Sequence, residues 1–216
     1  MKLKVPLIRQ VRKSVDCGPA CLSMILRFYG IKESVSEIAN ELQIYKSGTY
    51  SPQLGSYLIK KGFSVKMITQ HPGLFNLKSR TLSQVQIKKH LIRLSRNKKN
   101  KKDKISLRYL IDFMNDGGKI CVEIPRGSNI VSEIKHNRPV ISLLTSNFLI
   151  GKDVKFNFHY NVITGIDSKQ VYVNDPLWDY RGGRHAYSIE DYLYGVHTST
   201  KGDLDDGCLL KIKKLR

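Results

Sequence analysis

Asp16-Cys17-Gly18-Pro19-Ala20-Cys21-Leu22-Ser23-Met24-Ile25-Leu26 lies close to the start of the chain and reads as a helix with a cysteine in its first turn. Asp16 is a favourable N-cap residue, because its carboxylate can accept from the free N–H groups that follow. Pro19 falls early enough that its missing N–H costs little, and its fixed φ suits the first turn. From Ala20 onward the residues are apolar helix formers, which predicts a helix buried in a core. Cys17 then stands where the helix dipole and unpaired N–H groups concentrate positive potential, a setting that favours the thiolate, the nucleophilic form. The helix is predicted to run from about 17 to 29 and to stop at Gly30.

Around it the chain has 216 residues, enough for one domain with its own core. With 41% hydrophobic and 25% charged residues it has an ordinary globular composition, but its formal net charge of +19 favours acidic partners. The first nine residues are too short and too interrupted by charge for a signal peptide, and no run approaches a membrane span. Cysteines at 17, 21, 121 and 208 form no CxxC pair, which argues against a zinc site and against a disulfide framework. A reducing, cytoplasmic compartment, with no metal and no cofactor, is expected.

Ser34-Val35-Ser36-Glu37 offers a capping box for a second helix, and Leu54, Tyr57, Leu58 and Ile59 mark a third that ends at Gly62. Phe63 to Ile68 alternates as a half-buried strand. Residues 70–125 change character and read as an insertion, with a basic helix around Val85 to Leu94 and a charge run, Arg96 to Lys104, expected to be a solvated surface loop. That run has no aromatic residue, which argues against single-stranded nucleic acid as its partner. Strands follow at 119–124, 139–144, 159–166 and 170–174, with a helix from Ser128 between the first two. Helices first and strands later predict an α+β fold in one domain over 1–216, its N-terminal helical part packed on a C-terminal antiparallel sheet.

A cysteine nucleophile needs a base, and the base an orienting group. Of six histidines, His71, His90 and His136 read as surface residues, and His185 and His197 as members of a polar C-terminal loop region. His159 instead opens the buried strand His159-Tyr160-Asn161-Val162-Ile163-Thr164-Gly165-Ile166. The next strand, Val171-Tyr172-Val173-Asn174, runs into Asp175-Pro176. A tight hairpin brings the start of the first beside the end of the second, so Asp175 can hold the imidazole. His159 stands 142 positions on, from 17 to 159, a separation that suits a papain-like protease. Cys21, four residues after Cys17, is expected to pack rather than react. Trp178 and Arg181-Gly182-Gly183-Arg184 either border the cleft or close the fold.

Together, Gln10, the segment Asp16 to Gly30, His159 to Asp167 and Val171 to Pro176 resemble the peptidases that cleave double-glycine leaders from bacteriocins, here as a stand-alone papain-like relative. The resemblance covers roughly residues 5–68 and 128–178. It implies that Cys17 is the nucleophile, His159 the general base and acid, Asp175 the orienting residue, and Gln10 a donor to the oxyanion with the Cys17 N–H. The expected function is a thiol protease, a hydrolase that acts on peptide or protein substrates, including leader peptides, through a thioester. The alternatives are a transpeptidase or acyltransferase on the same fold and a non-catalytic binding module for acidic partners or nucleic acid.

Overall fold

The apolar run from Ala20 folds into α1 (Cys17–Phe28), with every residue from Gly18 to Leu26 buried. The computed structural model describes residues 1–42, 44, 48–151 and 156–215. The helix start departs from expectation, because the Asp16 carboxylate makes no capping hydrogen bond. The Asp16 backbone is bonded instead: its carbonyl accepts from Ala20 N–H at 2.9 Å and its N–H donates to Ser14 Oγ at 3.2 Å. No side-chain cap therefore covers the first turn, the turn that holds Cys17. The other end closes as predicted. Gly30 takes φ +85°, Ile31 N–H donates to Leu26 O at 2.9 Å, and Gly30 N–H donates to Arg27 O at 3.1 Å, a Schellman motif.

Helix α2 (Val35–Leu42) carries the expected capping box, with Ser34 N–H donating to Glu37 Oε2 at 2.8 Å and Glu37 N–H to Ser34 Oγ at 3.2 Å. Helix α3 (Ser51–Lys60) leads into β1 (Phe63–Thr69). The remaining strands are β2 (Lys119–Val122), β3 (Val140–Thr145), β4 (Phe158–Ile166), β5 (Gln170–Asp175), β6 (Gly183–Ser188) and β7 (Leu209–Lys214). They form one sheet in the order β2-β1-β7-β3-β4-β5-β6, antiparallel apart from the β1–β2 pair. The α+β class holds, and the sheet also takes a strand from the N-terminal half. The chain's last strand, β7, lies between β1 and β3 and knits the two halves together. Helices cover both faces, α1 and α3 on one side, α6 (Gly127–Lys135) and α8 (Ile189–Thr198) on the other. The six residues of β3 are accordingly all buried. A one-turn helix, α7 (Ser146–Leu149), follows β3.

Between β1 and β2 stand α4 (Gln84–Asn97) and α5 (Lys101–Asn115). The charge run 96–104 is therefore not a surface loop: Arg96 and Asn97 end α4, and Lys101 to Lys104 form the first turn of α5. Asn100 caps that turn, its Oδ1 accepting from Lys102 N–H at 2.9 Å, and Lys98 pairs with Asp103 at 2.8 Å. Apolar residues at helical spacing, Leu107, Leu110 and Phe113, are buried beneath the lysines in the same core as α1. The sequence reads Leu107 to Met114 as a short helix, and that stretch is the body of α5, which begins six residues earlier inside the charge run. Two histidine expectations also change. His185 and His197 sit on β6 and α8 rather than in a loop, and His71 is buried, with its Nδ1 accepting from Gly73 N–H at 3.0 Å. His71 follows a strand that ends in the core, so its ring turns inward.

The N-terminal arm is extended along β4, with Leu3 N–H donating to Thr164 O at 2.7 Å. A Cβ on Gly165 would lie 2.7 Å from Met1 O, so only glycine lets the arm approach there. Among the described residues, no helix is long and apolar enough to cross a membrane.

Candidate active site

Three segments far apart in sequence converge at the start of α1. The N-terminal arm supplies Gln10, whose backbone N–H donates to Pro176 O at 2.7 Å, and the adjoining Arg9 Nη1 donates to Leu177 O at 2.6 Å. These bonds fasten the loop that feeds α1 to the segment just past β5. Gly18 is required where it stands, since a Cβ would lie 2.2 Å from Thr49 Oγ1. The 48–50 segment can thus press on the helix end while Cys17 stays half-buried at the cavity.

The β4–β5 hairpin supplies the other two groups. Val162 pairs with Asn174 and Ile163 with Val173, before a bulge between Ile163 and Gly165. One step along this register sets Asp175 across from Asn161 and diagonal to His159, within side-chain reach. His159 Nε2 donates to Asp175 Oδ1 at 2.8 Å, and the same oxygen accepts Leu177 N–H at 2.9 Å. Both side chains are buried, His159 with 3% and Asp175 with 4% exposure. Burial alone would pull the imidazole's pKa down. The Asp175 charge and hydrogen bond, joined by a hydrogen bond and charge from the Cys17 sulfur, outweigh it and push the pKa up to about 10. The ring thus lies between a carboxylate and a sulfur, both of which favour its protonated form.

Cys17, His159 and Gln10 line one cavity of about 590 Å³, and Asp175 stands behind His159. Gln10 is 7% exposed; its Nε2 donates to Ser14 O at 2.7 Å, and its Oε1 is buried without a partner. Trp178 borders the cleft, with the Arg12 guanidinium 5.4 Å from its ring centroid. Cys21 is fully buried, and burial pushes its thiol well above the ordinary range, which leaves it a packing residue. All four cysteines are free thiols.

Sequence reasoning missed two parts of this site. Asn161 Oδ1, on the same strand as the histidine, lies within hydrogen-bond reach of Ser142 Oγ at 2.7 Å and Tyr192 OH at 2.6 Å, and the two hydroxyls, which also contact each other, have two protons to share among the three contacts. This buried, satisfied polar cluster ties β4 to β3 and α8; an Asn inside an apolar strand was its only signal. The far wall of the cavity was the second omission, made by Asn100, Lys102 and Asp103 from the α4–α5 hairpin and by Lys201, Asp203 and Asp206. Asp205 behind it is buried and accepts from Ser51 N–H at 2.6 Å and Ser106 Oγ at 3.1 Å. The Asp206 pKa is raised by burial and by Asp205 beside it.

Comparison with known proteins adds a family and a fold. The model of the Peptidase_C39 like family matches residues 2–194. The peptidase domain of Streptococcus ComA, a bi-functional ABC transporter involved in a quorum-sensing pathway, superposes with a TM-score of 0.51 at 16% identity, over 98% of this chain and 99% of that one. A double glycine motif protease from an AMS/PCAT transporter, solved in complex with the leader peptide, gives a TM-score of 0.51 at 15% identity, over 99% of this chain and 94% of that one. At these identities the likeness is one of fold. No curated protein matches the sequence.

Proposed function

Because the chain belongs to the Peptidase_C39 like family and is therefore a cysteine-type peptidase, we propose that it cleaves leader-bearing peptides through a Cys17–His159–Asp175 triad. The observation that carries this reading is the buried His159–Asp175 bond of 2.8 Å beside a thiol at a helix start. In the reaction, Cys17 Sγ attacks the scissile carbonyl carbon and the carbonyl oxygen takes the negative charge. Two donors serve that oxygen: the Cys17 backbone N–H, in the helix's unpaired first turn, and Gln10 Nε2, which has a second proton beyond the one given to Ser14. His159 gives its proton to the leaving amine as the C–N bond breaks, leaving a thioester on Cys17. Water then attacks the thioester carbon and gives a proton to His159; the C–S bond breaks, the peptide leaves with a new carboxyl terminus, and the thiolate–imidazolium pair is restored.

Residues 1–216 act in this reading as one peptidase domain, with 70–125 the addition that shapes access to its cavity. The test is a synthetic leader that ends in Gly-Gly and is joined to a short cargo, followed by mass spectrometry. Cleavage after the second glycine supports the reading; an intact peptide beside an electrophile-reactive Cys17 would contradict the leader specificity. In the same assay Gln10→Ala lowers kcat by roughly a hundredfold with KM little changed, since an oxyanion donor acts in the transition state. An effect confined to KM would remove Gln10 from that role.

A further inference from the structure

Between Gln84 and Tyr109 ten lysines and arginines stand against a single acid, Asp103, and that acid is paired with Lys98 at 2.8 Å. In sequence this is a charge run with no visible destination. In the fold it is the outer face of a helical hairpin whose tip forms a wall of the catalytic cavity. Arg96, Lys99, Lys101 and Lys104 are exposed along it, and the exposed Lys102 reaches the cavity itself. The positive lining continues across the cavity on two other segments, at Lys13 and Lys201, and three acids share it: Asp103, paired with Lys98, Asp206, whose pKa burial and the adjacent Asp205 raise, and Asp203. Apolar residues do not explain this arrangement, since the hairpin's own apolar stripe is already buried in the core.

We propose that the α4–α5 hairpin is a docking arm for an acidic segment of the substrate, on the leader side of the scissile bond. The occupant follows from charge and from continuity. A row of exposed cations recognises carboxylates, and at Lys102 the row reaches the cavity that Cys17 and His159 also line, so one polypeptide can lie on both. Nucleic acid fits less well: Tyr109, the one Phe, Tyr or Trp between Gln84 and Tyr109, stacks on Tyr50 with ring centroids 5.3 Å apart, which leaves no row of rings for bases. The proposal rests on the reading of Cys17 as the nucleophile and adds the class of peptide presented to it.

The test uses two probes on the full chain, Gly-Gly chloromethyl ketones extended at the N-terminus by six glutamates or by six glutamines. Cys17 Sγ displaces chloride from either, and mass spectrometry reads the rate. The glutamate probe is expected to label Cys17 at least tenfold faster at low ionic strength, with the advantage shrinking as salt screens the face. The triple variant Lys99→Glu/Lys101→Glu/Lys104→Glu is expected to lose that advantage. It should fold, because acidic residues in the first turn of α5 suit the helix dipole, and circular dichroism checks this. Equal rates for the two probes on the native chain, or an advantage that survives in the triple variant, would overturn the proposal. Tight binding of a DNA oligomer alongside equal probe rates would overturn it by assigning the face to nucleic acid. Failure of both probes to label Cys17 would instead sink the catalytic reading, and the docking proposal with it.

Discussion

Cys17→Ala is expected to lower leader cleavage by at least about 10⁴-fold, because removing a nucleophile removes the covalent route and leaves only oxyanion binding and proximity. The side chain is half-buried at the mouth of a cavity and the helix behind it is anchored by nine consecutive buried residues, so the variant should fold. Cys21→Ala is the internal control. Its thiol is sealed in the core, with burial holding it well above the ordinary range, so it takes no part in attack. Losing it should cost on the order of 1 kcal/mol of stability and leave turnover within a few-fold. Equal losses of turnover in the two variants, at equal helix content, would place the reactive sulfur elsewhere.

Asp175→Asn is expected to lower kcat/KM by roughly 10²- to 10⁴-fold, the range for replacing the orienting carboxylate of a triad by an amide. The shape is kept and the charge is lost, and the charge keeps the His159 proton in place up to about 10. The native enzyme should therefore hold its activity well into alkaline pH and lose it as pH rises through about 10. In Asp175→Asn that alkaline limb moves down toward the ordinary histidine range. The same linkage acts on stability. A histidine whose folded pKa is raised stabilises fully below its unfolded value and loses that contribution as pH rises through the folded value. The melting temperature of the native chain should thus fall between about pH 7 and pH 10 through this group, and Asp175→Asn should flatten that dependence. An unmoved alkaline limb in the variant would mean that Asp175 positions the ring without governing its proton.

The parts of the fold written in short-range signals were legible in the sequence. The α1 stop at Gly30, the Ser34–Glu37 box and the β4–β5 hairpin each depend on residues within a few positions, and each appears where the sequence puts it. What failed depended on distant partners. Strand β7 is short and half lysine, and only its pairing with β1 and β3, both far away in sequence, makes it central to the sheet. Strand β6 lies at the sheet edge, where one exposed face blurs alternation, so His185 read as loop. The Asp16 cap failed because its backbone takes φ −87°, ψ 25° rather than the extended conformation from which a side chain caps a helix. At the site, Cys17, His159 and Asp175 were readable because helix start and hairpin register are local facts. Gln10 was read as an oxyanion donor, but the amide bond to Ser14 that fixes its side chain was not. The wall at Lys102 and Lys201 was invisible because it is assembled by packing α5 against the 199–206 segment, which no periodicity announces.

Alkylation reads out whether Cys17 and His159 work as a thiolate–imidazolium pair. Iodoacetamide labelling, mapped by peptide mass across pH 5 to 10, compares Cys17 with Cys121, the other partly exposed cysteine. Burial and Glu123 push the Cys121 thiol up. Cys17 is expected to be labelled many-fold faster at neutral pH, and His159→Ala to abolish this advantage. Labelling of Cys17 no faster than Cys121 at neutral pH, with the same rates in His159→Ala, would contradict that pairing.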